Sequence, residues 1–182
     1  MKHPSPEAVI KATERWLRDF VVALDLCPFA RFPLEAGKIA FTVSVAQDTE
    51  RLTEDLLEAV TTLEQRPEIE TTLLIHPGVL TEFDAYLDYV ATAEAIMAHL
   101  GYEGIFQIAS FHPDYCFDGE VGDAPANFTN RSPYPMLHLL REASLTQAID
   151  AHPDIDEVPQ RNIRKLHELG LEAIKAKLRG IV

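Results

Sequence analysis

Between Phe111 and Pro135 the chain reads "FHPDYCFDGEVGDAPANFTNRSPYP", which sets imidazole, carboxylate, thiol, amide and guanidinium groups between prolines. His112, Asp114 and Cys116 alternate there as His-x-Asp-x-Cys. If the backbone stays extended past Pro113, alternate residues share a face and the three side chains point the same way. An imidazole beside a carboxylate is a usable general base, because the carboxylate fixes the tautomer and raises the basicity. The same residue types ligate metals, so His112 and Asp114 with His76 or His138 form an alternative, metal-holding set. A plainer reading has Asp114 capping a turn and His112 bonding a backbone carbonyl.

A second cluster follows in "NFTNRSPYPMLHLLRE". Ser132 before Pro133 suits the start of a helix, as N-cap followed by proline at the first helical position. Arg131 then lies beside the free N–H groups of that helix start, a combination suited to a carboxylate or phosphate. Tyr134, His138 and Arg141 share one face of the expected helix. Asn127 and Asn130 are placed to orient a ligand through their amides. The competing reading is a capped surface helix with Arg141 paired to an acid. In "LCPFARF" a third cluster offers Cys27 as a nucleophile, with Arg31 nearby to lower its pKa. A buried cysteine acting as a small hydrophobe is the alternative. Cys27 and His138 form a pair only if the fold brings them together.

The elements that must position these groups follow from hydrophobic spacing. "PEAVIKATERWLRDFVVAL" carries a helical stripe that includes Val9, Trp16, Phe20 and Leu24. "IAFTVSVA" alternates as a strand. "ERLTEDLLEAVTTLEQ" is a helix that Asp48 or Thr49 can cap. "TTLLIHP" and "GIFQIASFHP" are strands, separated by the helix "TEFDAYLDYVATAEAIMAHLG", with Thr81 as its expected N-cap and Gly101 at its end. "PYPMLHLLREASLTQAI" and "PQRNIRKLHELGLEAIKAKLRG" read as helices. The expected architecture is a single α/β domain over residues 1–182. Its core is a small, mostly parallel three-stranded β-α-β-α-β sheet with long N- and C-terminal helices. A ferredoxin-like α+β sheet is the alternative, and it needs a fourth strand that the pattern does not supply.

Two of the strands run out into His-Pro, at His76 and His112. Proline stops a central ladder, which leaves each histidine at the carboxyl end of its strand, where open parallel sheets bind ligands. If the two strands are parallel neighbours, the two histidines face one crevice; the alternative is chance recurrence, since His-Pro also stands at 3–4 and 152–153. His3, His99, His152 and His167 read as ordinary surface residues.

The 182 residues include 16 basic and 29 acidic side chains, for a net charge of −13. That field repels phosphate backbones and anionic lipid, so neither nucleic acid nor a membrane surface is an expected partner. "MKHPSPEAVIKATERW" lacks an apolar leader segment, so a cytoplasmic location and reduced cysteines are expected. Walker, dinucleotide, serine-elbow and paired C-x-x-C motifs are all missing from the sequence.

The stretches "CPFA" at 27–30, "FHPDYCF" at 111–117 and "ANFTNRSPYPMLHLLRE" at 126–142 resemble a bacterial and plant family known as domain of unknown function 1415. The likeness runs over most of the chain. It implies that the three clusters belong together, and it implies no particular reaction, cofactor or substrate. The expected function is a small-molecule enzyme acting on a phosphorylated or carboxylated substrate. Arg131 with Arg31 or Arg141 would hold the anion, His112 tuned by Asp114 would move a proton, and Cys116 or Cys27 is the possible nucleophile. A metal-dependent enzyme and a non-catalytic metabolite- or protein-binding module are the rivals. Oligomeric state is not legible from these residues.

Overall fold

The structure is a computed structural model, described for residues 4–152 and 154–181. Four strands form one mixed sheet: β1 (Ile39–Val43), β2 (Thr71–Ile75), β3 (Phe106–Phe111) and β4 (Met136–Arg141). Their spatial order is β1-β2-β4-β3. β1 and β2 are parallel, whereas β4 runs antiparallel to both β2 and β3. The α/β class matches the sequence expectation. The three-stranded, mostly parallel core does not, because a fourth strand separates β2 from β3.

That fourth strand lies inside "PYPMLHLLREASLTQAI", which the sequence presents as one helix. Met136, Leu137 and Leu139 are buried, with Met136 packing on one side of the sheet and Leu137 and Leu139 on the other. A central strand covered on both faces loses the apolar–polar alternation that marks a strand, and leucine and methionine favour helices intrinsically. The expected helix from Pro133 is therefore a strand, and the helix α5 (Glu142–Asp150) begins only after it.

Helices cover both faces. On one side α3 (Thr49–Gln65) and α4 (Phe83–His99) bury Leu52, Leu56, Leu63, Tyr86 and Met97 against Leu74, Leu137 and Leu139. Asp48 caps α3 by accepting from the Arg51 N–H at 2.8 Å, as the sequence suggests. α4 starts after Glu82 rather than Thr81, without a side-chain cap. On the other side lies α1 (Pro6–Trp16), capped by Ser5 and continued by a π-helical turn over Leu17–Val22. With α6 (Val158–Leu169) and α7 (Leu171–Arg179) it buries Val9, Trp16, Phe20, Leu166 and Ile174 against Leu73, Ile75 and Met136. The C-terminal helical stretch is broken at Gly170, whose φ of 79° lies where a side chain would be strained.

Candidate functional site

The 112–132 loop holds the groups that the sequence singles out, and its geometry shows where their hydrogen bonds go. Asn127 is fully buried. Its carbonyl oxygen accepts from the Phe117 N–H at 3.0 Å, and its amide donates to Val121 O at 2.8 Å and Gly122 O at 3.1 Å. Asn130 donates to Ser110 O at 3.1 Å, and Arg131 donates to Tyr115 O at 3.0 Å and to Gly122 O while lying 4.6 Å over the Phe128 ring. Ser132 donates to Tyr134 O at 2.7 Å and caps no helix. The Cys116 thiol faces Glu120 O at 3.5 Å. These side chains bind the loop to itself and to the chain that flanks it.

His112 behaves in the same way. The Asp114 backbone N–H donates to its Nδ1 at 3.0 Å, so Nδ1 carries the lone pair and Nε2–H donates to Leu80 O at 3.2 Å. The partner of the imidazole is thus the Asp114 backbone rather than its carboxylate. Burial holds His112 below the ordinary histidine pKa, against opposing effects of the Leu80 carbonyl and Asp114. His76 is fully buried two strands away, with Nδ1 3.0 Å from Val79 O, and burial lowers its pKa to about 4. Both histidines lie just past strand ends, but β4 separates β2 from β3 and Tyr86 fills the space between the two rings, with ring centroids 5.9 and 5.0 Å away, so they do not face a shared crevice. The Tyr86 hydroxyl donates to Met136 O and accepts from the Phe111 N–H, each at 2.8 Å. Together the histidines hold the turn that contains Leu80, whose φ of 57° is strained for a leucine. Among the described residues no three His, Cys, Asp or Glu side chains converge closely enough to hold a metal ion.

A cavity of about 530 Å³ lies elsewhere, on the α1 face of the sheet. Its floor is Leu73, Ala109, Phe111 and His138; one wall is Trp16 with the Cys27–Pro33 segment; the opposite wall comes from α5 and His152. Most of this lining is carbon. The 27–33 segment, which runs into α2 (Arg31–Glu35), is positioned by α6, whose Asn162 amide donates to Leu26 O at 2.6 Å and whose Lys165 ammonium donates to Leu24 O at 2.7 Å. These bonds satisfy carbonyls left over where the first helix ends. Phe29 meets His152 edge-on at 5.4 Å, joining the two walls. Glu70 also lines the cavity, but its carboxylate is held by Lys38 at 3.4 Å and Ser144 at 2.9 Å. A smaller hollow of about 340 Å³ lies over the β1 edge, where Arg51 and Ser44 both bond the Asp55 carboxylate.

His138 is the cavity's distinctive polar group. In β4 it pairs with Leu73 and Ala109 and lies 5.9 Å from the Phe111 ring. Thr71 Oγ1 is 2.6 Å from both Leu139 O and His138 Nε2. Burial lowers the His138 pKa to about 4. Burial also pushes the Cys27 thiol up, which keeps it protonated, and Arg31 is turned to Val22 O at 3.4 Å and Glu35 at 3.6 Å.

The fold therefore brings Cys27 and His138 to one cavity, which the sequence left open, and keeps both apart from the 112–132 loop. Arg141 does not share a face with His138, because adjacent positions in a strand alternate. Its guanidinium donates to Ile69 O at 2.9 Å, Arg66 O at 3.0 Å and Leu63 O at the end of α3. Trp16, Phe29, Thr71 and the α5 residues were not singled out as site residues. Trp16 reads as part of a core stripe, whereas Cys27 in the "LCPFARF" cluster and His138 are the sequence candidates that lie in this region. His152, expected to be an ordinary surface residue, lines the cavity, and His3 lies outside the described residues.

A family model described as "Protein of unknown function (DUF1415)" matches residues 8–176, and the chain belongs to that family. No curated protein and no solved structure matches it.

Proposed function

We propose that this member of the DUF1415 family binds a small, largely apolar molecule in the cavity between the 27–33 segment, the sheet and α5. The observation that carries this reading is the cavity itself. At about 530 Å³ it falls in the range of small-molecule sites, and its apolar lining with few polar groups is typical of them. Its walls come from segments far apart in the chain, so the fold builds the hollow rather than a single loop. None of the residues of α5 is fully buried, which makes this helix the wall best able to move aside for entry.

Binding is better supported than catalysis through the groups present. The Cys27 thiol is protonated by its surroundings, and the carbonyls around Arg131 and Arg141 occupy the guanidinium groups that an anionic substrate would need. Trp16 is the one tryptophan of the sequence and lines the cavity, so its emission reports occupancy. Titration with n-octanol is expected to give a saturable change in Trp16 emission. Ala109→Leu, which fills the floor, is expected to abolish it at a stability change of about 1 kcal/mol or less. An unsaturable response in the parent protein overturns the reading.

A further inference from the structure

The hydrogen bonds around His138 fix which of its nitrogens carries the proton. A carbonyl oxygen can only accept, so the single hydroxyl hydrogen of Thr71 must go to Leu139 O. The Thr71 oxygen then meets Nε2 of His138 as an acceptor, which places the imidazole proton on Nε2. Nδ1 is left with a lone pair and no partner among the described residues. It is not one of the fully buried polar atoms that lack a partner, so it keeps open surface, and the open side of this ring is the cavity. The floor thus presents one fixed acceptor among carbon atoms.

We infer that the cavity selects an uncharged molecule whose polar head donates a hydrogen bond, as a hydroxyl or amide N–H does, to Nδ1 of His138. The apolar body of the ligand lies against Leu73, Ala109 and Phe111. A carboxylate or phosphate would set lone pair against lone pair at this nitrogen and would leave water for a mainly apolar space. An ammonium group would leave water for a mainly apolar space, at a large desolvation cost. Because burial holds His138 neutral at ordinary pH, the acceptor is present without competition from a proton. Thr71 is a positioning residue in this scheme, since it acts through the imidazole.

The inference rests on the cavity being the binding site, and the same octyl series separates the two. Wild-type protein is titrated with n-octanol, octyl methyl ether and octanoate, following Trp16 emission. The alcohol is expected to bind about tenfold more tightly than the ether, the worth of one hydrogen bond of roughly 1.4 kcal/mol. Octanoate is expected to bind most weakly. His138→Phe should remove the advantage of the alcohol while retaining the ether. Thr71→Val should reduce it and Thr71→Ser restore it. Nitrogen NMR of the wild-type imidazole gives a reading that needs no variant: Nε2 is expected to carry the proton, and n-octanol to shift the Nδ1 resonance. Equal binding of alcohol and ether, tighter binding of octanoate, or a proton on Nδ1 overturns the donor-head inference alone. Failure of every octyl compound to bind overturns the cavity reading with it.

Discussion

The 112–132 loop and the α1-face cavity make an instructive pair. The loop is dense in polar side chains, yet Asn127, Asn130, Arg131 and His112 are all bonded to backbone groups of the loop and its neighbours. The cavity has few polar groups, yet one imidazole nitrogen there is uncommitted. What distinguishes a binding site is unsatisfied hydrogen-bonding capacity beside open space, not the number of polar residues. A loop that wanders across a sheet end must satisfy its own N–H and C=O groups, and asparagine and arginine side chains do so here.

The largest effect that tests this contrast is expected in acid. His76, at the strand ends beside the loop, and His138, in the cavity, have folded pKa values of about 4 against 6.5 for an ordinary histidine. Above pH 6.5 neither folded nor unfolded chain is protonated at these sites, so their contribution is complete. Between about 6.5 and 4 the unfolded chain takes up protons that the folded histidines refuse, so stability falls as the pH falls. The loss is roughly 3 kcal/mol from each, smaller for His138 if the cavity admits water. Chemical denaturation at a series of pH values should show it. His138→Phe should remove only its own share, while n-octanol protects that share in the parent protein. Acid sensitivity untouched by His138→Phe would place the burden on the loop side alone.

Next in size is Asn127→Ala. It leaves the Phe117 N–H and two carbonyls without their partner, at a cost of roughly 3 kcal/mol. Equilibrium unfolding should record this, and octyl binding by the folded fraction should be unchanged. A variant that keeps its stability and loses binding would reverse the roles given to the two regions. The smallest expected effect comes from Phe29→Ala, which removes the edge contact with His152 and costs about 1 kcal/mol. Its sharper signature is faster amide exchange in α5 with exchange in β4 unchanged.

The sequence made parts of this legible for identifiable reasons. β1 keeps its alternation because Ile39, Phe41 and Val43 pack on the α1 side while Thr42 on the other face is exposed, and α3 shows a clean stripe because one side faces water. β4 hid because both of its faces are buried, and with it went the number of strands and the meaning of Ser132-Pro133. The placement of His76 and His112 just past the ends of β2 and β3 followed from the two His-Pro steps. Tyr86, sitting between them, did not, since α4 delivers it from another segment.

From the residues alone came the α/β class, the family likeness and the presence of Cys27, His112 and His138 as groups worth locating. Local spacing determines such things because helix caps, strand stops and amphipathic stripes depend on neighbours in the chain. The tertiary structure decided which of those groups remain free. Whether an imidazole nitrogen has a partner depends on Thr71, Leu80 or Leu139, residues brought there by strand pairing and by loops from other segments. A hollow has no sequence at all: it is the space that α5, the 27–33 segment and the sheet fail to fill.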